Sequence, residues 1–229
     1  IKKKFSIKVK FTHTATQSIR PIYNLCKMNA KQVIQNHISK EDKYTFAFNE
    51  LKVVLGLNKD IKKIEAYDVS HISGDHAVAS CVVFSNLGAL KKDYRLFNIP
   101  ETLSGNDVGS LQHVLERRIK YYENPKIKPE VILIDGGKTQ LNFTQSVLDS
   151  SEYDDIKIIS IVKGSNRVRA TETILSNDGI IELEKYSKSY LLLQEIRDES
   201  HRFAITAQRK KKRGNIKQSR LDQINGIGD

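Results

Sequence analysis

Apolar positions along the chain follow two different periods, and these periods predict which segments are helices and which are strands. In residues 22–37 and 46–55, apolar residues recur three and four positions apart, which predicts two helices near the amino terminus. Residues 64–69, 77–84 and 94–99 are short runs dominated by apolar residues, which predicts strands. Because the links between them are short, we expect these three strands to form an antiparallel meander.

The remainder of the chain predicts helices that alternate with buried strands. In order, the predicted elements are a helix (108–122), a strand (131–134), a helix (138–148), a strand (156–162), a hairpin on an Asp-Gly turn (171–183) and a long helix (189–208). The wholly apolar run 131–134 is typical of a strand that is buried on both faces. We therefore predict an α/β fold, a mixed sheet flanked by helices, and a ribonuclease H-like core has much of this order.

The charge of the chain favours a nucleic-acid partner. Its 38 lysines and arginines exceed its 27 aspartates and glutamates, which gives a net charge of +11. Such an excess favours a polyanion through phosphate contacts, although a merely solubilising basic surface is the alternative. No apolar run approaches the roughly 20 residues that cross a bilayer, so we expect no membrane partner. Two cysteines without CxxC spacing argue against a zinc site or a disulfide framework and fit a reducing cytoplasm.

Two aspartates at predicted strand ends are the leading candidates for chemistry. Asp68 lies near the end of the strand 64–69, and Asp135 directly follows the strand 131–134. A carboxylate at the edge of a buried strand is costly unless it is paired or bound to a metal. Side by side in one sheet, the two would form a cradle for a hard divalent cation. Each residue alone has a structural alternative as a turn or cap residue.

Two further residues are weaker candidates for the same site. His201 lies beside the apolar stripe of the long predicted helix and could reach a site at the sheet edge, but the spacing alone favours a half-exposed structural histidine. Asp107 immediately precedes the helix 108–122, and its structural alternative is the N-cap of that helix.

Basic residues near the predicted strand and helix ends are candidates for phosphate contact. Lys163 and Arg167 follow the strand 156–162 and either hold a phosphate or are solvated loop charges. The run from Arg209 to Arg213, which includes Lys210 and Lys211, either contacts a nucleic-acid backbone or forms a solvated arm.

Several long motifs, in order and with matching spacing, resemble the UvrC subunit of bacterial nucleotide excision repair. They are Tyr67-Asp68-Val69-Ser70-His71, Ala79-Ser80-Cys81-Val82-Val83-Phe84, Leu133-Ile134-Asp135-Gly136-Gly137-Lys138, Lys163-Gly164 and Ile196-Arg197-Asp198-Glu199-Ser200-His201-Arg202-Phe203-Ala204-Ile205. The resemblance implies a ribonuclease H-like nuclease domain that cuts the damaged strand on the 5′ side of a lesion. It places the family's catalytic residues on Asp68, Asp135 and His201, with a further aspartate on Asp107, where Asn106 departs from the second acid of many relatives.

The resemblance also organises the chain into three parts. Residues 1–60 are a lead-in with a strand predicted over residues 2–10, residues 61–210 are the endonuclease domain, and residues 211–229 are a basic linker with the start of a helix-hairpin-helix module. The chain starts at Ile1 and its only methionine is Met28, so we expect it to be part of a longer protein. The family's amino-terminal nuclease and UvrB-binding segment are not visible in it.

We therefore expect a metal-dependent endonuclease. Asp68 and Asp135 would hold Mg²⁺ or Mn²⁺, His201 would act on the attacking water, and Lys163, Arg167 and Arg202 would hold phosphates. The expected partners are damaged double-stranded DNA and UvrB, and the oligomeric state is open. Two alternatives are a different ribonuclease H-like enzyme, which cuts RNA in a hybrid or recombination junctions, and a non-catalytic nucleic-acid-binding module of the same fold.

Overall fold

The structure, a computed structural model, describes residue 17 and residues 19–70, 77–163 and 172–217. The strand predicted over residues 2–10, Arg167 and the tail after residue 217 lie outside the described residues. The chain divides into two compact units, residues 1–42 and residues 43–229. In the first unit, the described apolar side chains are mostly exposed, including Ile22, Leu25 and Met28.

Eight strands of the described residues form one mixed sheet. They are β1 (Lys63–Ser70), β2 (Val78–Ser85), β3 (Gly88–Ala89), β4 (Arg95–Asn98), β5 (Val131–Asp135), β6 (Lys157–Lys163), β7 (Glu172–Ser176) and β8 (Gly179–Ile181). The order across the sheet is β3-β2-β1-β5-β6-β7-β8, and β4 also pairs with β2. The pairs β1–β5 and β5–β6 are parallel, and the remaining pairs are antiparallel. The predicted meander is confirmed as β1, β2 and β4; the two-residue strand β3 was not predicted.

The α-helices of the described residues are α1 (Arg20–Val54), α2 (Asp107–Ile119), α3 (Lys138–Asp149) and α4 (Lys188–Lys217), and short 3-10 helices span Lys91–Asp93 and Glu101–Leu103. The prediction of two helices before residue 55 was wrong, because the polar segment between them contains no glycine or proline that would end a helix. Helix α4 is also longer than predicted, so the basic run from Arg209 to Arg213 is helical. No helix in this part of the chain is both long and apolar enough to cross a membrane.

The central strands are mostly apolar because helices pack on both faces of the sheet. On one face, α2 and α3 contribute Leu111, Val114, Leu115, Leu141 and Leu148 to a core with the side chains of Tyr67, Ile132 and Ile134. On the other face, the last turns of α1 and the first half of α4 contribute Phe48, Leu51, Leu192, Leu193 and Ile196 to a core with Ile64, Ala66 and Leu133. The thiol of Cys81 is fully buried, as predicted.

A buried polar network fixes β1 to α2. Glu65 is completely buried and accepts hydrogen bonds from Arg118 Nε at 3.1 Å, Tyr67 OH at 2.6 Å and Tyr122 OH at 2.7 Å. Burial and the nearby negative charge raise the pKa of both tyrosines well above the ordinary range. Because every member has a partner, the network avoids the desolvation cost of an unpaired buried charge.

Candidate active site

The parallel pairing of β1 and β5 brings the two strand-end aspartates to neighbouring positions. The register pairs Tyr67 with Ile134, so that the next residues on the two strands are Asp68 and Asp135. Side chains alternate along a strand, and Asp68 follows Ala66 onto the face that α4 covers. Asp135 follows Leu133 onto that same face. Two strands of apolar sequence therefore end in adjacent carboxylates on one side of the sheet.

Helix α4 brings His201 to Asp68. Its apolar residues Leu192, Leu193 and Ile196 lie in the core, and His201 follows about one turn beyond them. The Nδ1 atom of His201 lies 3.3 Å from Oδ2 of Asp68. The side chain of Asp68 is only 10% exposed, whereas that of His201 is 59% exposed. The pair thus joins a buried carboxylate to an imidazole that remains open to solvent.

The surroundings of Asp68 raise its pKa above the ordinary value. Burial is the largest cause, and the negative charge of Asp135 is the next. The charge and hydrogen bond of His201 act in the opposite direction, and the charge of Asp107 adds a smaller increase. The carboxylates of Asp135 and Asp107 both act on the buried carboxylate of Asp68, so negative charge predominates around it.

Asp107 is the first residue of α2, and its negative charge reaches Asp68. Its interpretation as the N-cap of this helix was wrong. The cap is Asn106, whose side-chain oxygen accepts a hydrogen bond from the backbone N–H of Gly109 at 2.9 Å. Asparagine is among the strongest N-cap residues, and that preference was the signal that could have identified it. With Asn106 as the cap, Asp107 occupies the first position inside the helix.

The turn after β5 places the start of α3 directly behind Asp135. Gly137 is the N-cap and offers no side-chain oxygen to the first amide groups of the helix. The side chain of Gln140 lies against the Gly136 backbone, where a Cβ atom would overlap its Oε1. The carbonyl of Gly136 accepts a hydrogen bond from the Ser160 hydroxyl of β6. These contacts hold the turn tightly against the carboxylate end of β5.

The basic residues predicted to contact phosphates have different surroundings. Lys163 is the last residue of β6, and Lys210 and Lys211 lie on α4, but their side chains are outside the described part of the structure. Arg202 follows His201 on α4, is largely exposed and donates two hydrogen bonds to Glu199, from Nε at 2.8 Å and from Nη2 at 2.6 Å. Arg209 is exposed on the same helix.

The described residues contain no group of three or more histidine, cysteine, aspartate or glutamate side chains gathered closely enough to hold a metal ion. The donors that do converge are the carboxylates of Asp68 and Asp135, beside the imidazole of His201. Mg²⁺ commonly uses one or two protein carboxylates and retains several waters, so this donor set fits such an ion. The raised pKa of Asp68 agrees with that fit, because a cation would relieve the repulsion between the carboxylates.

The strand order, the helices on both faces and the carboxylates at neighbouring strand ends define a ribonuclease H-like domain. The family model for the UvrC RNAse H endonuclease domain matches residues 52–205, and the chain belongs to this family. Among curated relatives, the UvrABC system protein C of Legionella pneumophila strain Paris is 37% identical over 202 residues, which are 87% of this chain and 33% of that protein. The protein of the same name from Pseudomonas putida strain KT2440 is 37% identical over 207 residues, which are 89% of this chain and 34% of that protein.

The chain therefore spans about a third of the length of these curated relatives. Among solved structures, human endonuclease V is 12% identical with a TM-score of 0.40, over 64% of this chain and 86% of that chain. Bacillus subtilis endonuclease V is 12% identical with a TM-score of 0.39, over 66% of this chain and 84% of that chain. At these scores the likenesses add nothing to the assignment, which depends on the family match and on the topology.

Proposed function

We propose that this domain is a metal-dependent DNA endonuclease that makes the 5′ incision in nucleotide excision repair. The observation that carries the proposal is the contact of His201 with Asp68, whose neighbour on the adjacent parallel strand is Asp135, in a member of the UvrC family. These residues come from three separate segments of the chain, and a purely structural role does not require them to meet.

Asp68 and Asp135 are the proposed ligands of Mg²⁺ or Mn²⁺. When bound, such an ion supplies positive charge at the scissile phosphate and lowers the pKa of a bound water. The two carboxylates hold that charge at the sheet edge, and Asp107 adds a negative charge outside them. Burial of Asp68 keeps bulk water away from one side of the site and strengthens its electrostatic interactions.

His201 is the proposed base for the attacking water. With the Nδ1 proton donated to Oδ2 of Asp68, the unprotonated Nε2 is on the opposite side of the ring, where the side chain is exposed. A histidine oriented by a carboxylate in this way accepts a proton at Nε2 while the carboxylate stabilises the resulting imidazolium. Water attack on the phosphodiester then leaves a 3′-hydroxyl and a 5′-phosphate.

The proposed partners are damaged double-stranded DNA and UvrB, and the proposed location is the cytoplasm. The net charge of +11 supports a polyanionic substrate. Lys163, Arg167 and Arg202 are proposed to hold phosphates near the cut, and Arg209, Lys210 and Lys211 to contact the backbone farther away. The names of the curated relatives, UvrABC system protein C, support UvrB as a partner.

A non-catalytic nucleic-acid-binding module of the same fold is the second candidate. It is favoured by one observation, that the described residues gather no three metal-ligating side chains. A module of this kind would bind duplex DNA with strong salt dependence but would neither bind Mn²⁺ nor cut.

An incision assay distinguishes the two candidates. The substrate is duplex DNA with one lesion, nicked 3′ to the lesion and loaded with UvrB, and the assay contains Mg²⁺, Mn²⁺ or EDTA. We expect a metal-dependent cut 5′ to the lesion that disappears in Asp68→Ala while DNA affinity is retained. The matched control is Asp178→Ala, which removes an exposed aspartate from the β7–β8 turn. Metal-independent cutting, or an active Asp68→Ala variant, would reject the proposal, and DNA binding without Mn²⁺ binding would establish the module.

A further inference from the structure

A pair of buried serines connects the sheet to α4 next to the candidate active site. Ser80 of β2 and Ser200 of α4 are 0% and 1% exposed. The Oγ atom of Ser80 donates to the backbone carbonyl of Ser200 at 3.1 Å, and the two hydroxyl oxygens are 3.0 Å apart. The described hydrogen bonds contain no comparable buried link from the α4 backbone to β1 or β2.

Both serines are immediate neighbours of active-site residues. The antiparallel register of β1 and β2 pairs Ser80 with Asp68. Ser200 directly precedes His201 on α4. A short path therefore runs from Asp68 across the strand pair to Ser80, through the hydrogen bonds to Ser200, and along one peptide unit to His201. The direct contact between Asp68 and His201 closes this path into a loop.

We propose that Ser80 and Ser200 are positioning residues that fix α4 along its axis over β2 and so hold His201 against Asp68; this inference rests on the proposed function. The His201 side chain is mostly exposed and cannot be oriented by burial. Its position depends on the helix backbone, which the packing of Leu193 and Ile196 and the ion pair of Arg197 with Glu172 of β7 also hold in place. Hydrogen bonds are directional and weaken with a small displacement, so the serine contacts restrict small shifts of the helix directly beside His201.

The kinetic test uses Ser80→Ala, Ser200→Ala and the double variant in the incision assay with Mn²⁺. The double variant removes both hydroxyls, which leaves no buried hydroxyl without its partner and protects folding. We expect the single-turnover cleavage rate to fall about 10-fold in each single variant and up to about 100-fold in the double, because small misplacements of a catalytic group have effects of this size. DNA affinity stays within about twofold.

The matched control is Ser85→Ala. Ser85 is also on β2 and buried, and its Oγ donates to the carbonyl of Gly88 at 3.3 Å, away from α4. If the serine substitutions slow cleavage only because they destabilise β2, Ser85→Ala should slow it as well. If they act by positioning His201, Ser85→Ala should cleave at the unsubstituted rate. The second control places Ser200→Ala in a His201→Ala background, where positioning predicts no further loss of rate. An equal further loss in that background would overturn the proposal.

An NMR measurement tests the positioning without cleavage. The ring signals of His201, assigned by their loss in His201→Ala, should show Overhauser contacts to the β-protons of Asp68. We expect these contacts to weaken and the ring signals to move in Ser80→Ala and Ser200→Ala, but not in Ser85→Ala. Unchanged ring signals in both serine variants overturn the inference. If the unsubstituted chain does not cut, the proposed function has failed, and the NMR result alone decides whether the serines position His201.

Discussion

Two buried carboxylates on β1, only three residues apart, have opposite surroundings. Glu65 is on the face covered by α2, where Arg118, Tyr67 and Tyr122 all donate to it. Asp68 is on the face covered by α4, where its side-chain hydrogen-bond partner is His201, and where burial and the charges of Asp135 and Asp107 raise its pKa. Both side chains are nearly inaccessible to water, so exposure does not distinguish them.

One face of β1 therefore carries a structural network, and the opposite face carries the candidate active site. The Glu65 network is complete: the charge has a counter-charge and the oxygens have donors, so nothing is left for a ligand. At Asp68, burial and the charges of Asp135 and Asp107 outweigh the opposing effect of His201. An unbalanced buried charge costs stability, and sites that keep one are commonly functional. Four predictions test this contrast, from the largest expected effect to the smallest.

Asp135→Asn should remove most of the cleavage activity. The substitution keeps the shape of the side chain but removes one of two proposed metal ligands, and we expect the single-turnover rate to fall by about 10³-fold or more. The matched control Asp178→Asn alters an exposed turn residue that pairs with Lys157 and should cut at the unsubstituted rate. Comparable rates for the two variants would remove Asp135 from the site.

Arg118→Ala should destabilise the fold by about 3–5 kcal/mol, because it leaves the Glu65 charge buried without its partner. Denaturant unfolding of the metal-free protein measures this change. The double substitution Glu65→Gln with Arg118→Met removes both charges and should cost clearly less than Arg118→Ala alone. If the single and double variants lose the same stability, the network does not act as a charge pair.

Asp68→Asn should stabilise the metal-free protein at neutral pH by about 1 kcal/mol, a typical gain for relieving an unfavourable charge. The folded-state pKa of Asp68 lies above its ordinary value of 3.8, so the folded protein binds a proton more readily than the unfolded chain. Stability of the unsubstituted protein should therefore fall as the pH rises from 3.8 through the raised pKa. The gain in Asp68→Asn should be full above that window and vanish below it, as measured by unfolding free energies at several pH values. A constant gain at all pH values would contradict this account.

Arg202→Ala should change stability by less than about 1 kcal/mol, because Arg202 itself is largely exposed and Glu199 keeps a hydrogen bond from Tyr94 OH. If Arg202 also holds a phosphate, the slope of log affinity against log salt should decrease by about one unit. Titrations of duplex DNA at several salt concentrations measure that slope. An unchanged slope would remove Arg202 from the DNA contact surface.

The strands and the aspartate pair were predictable because they depend on local pattern and on a general rule. Apolar runs identified β1, β2, β5 and β6, and neighbouring parallel strands present their carboxyl ends at one edge of the sheet. The sequence made Asp68 and Asp135 candidates for a shared site if their strands were neighbours, and the parallel pairing of β1 and β5 shows that they are. The contact between Asp68 and His201 depends on how α4 crosses β1, which periodicity along one helix does not determine.

The Glu65 network and the serine pair were not predicted, because each joins residues that are distant in sequence and polar in type. Glu65 lies between Ile64 and Ala66, and a charge inside a run of buried residues was a signal that a partner existed. The sequence did not identify that partner as Arg118, which resembles a solvated charge on an amphipathic helix. Ser80 and Ser200 gave no signal, since a small hydroxyl is compatible with burial or exposure.

Helix α4 is unbroken, so it fixes the axial distance between residues along its length. His201 and the exposed Arg209 belong to the same unbroken helix, Lys188–Lys217, so their separation along its axis is fixed at about 12 Å by a rise of about 1.5 Å per residue. On a duplex that advances about 3.4 Å per nucleotide of one strand, this length corresponds to three or four nucleotides. A proline or glycine-rich insertion between the two residues would separate the proposed backbone contact of Arg209 from the proposed site of cleavage.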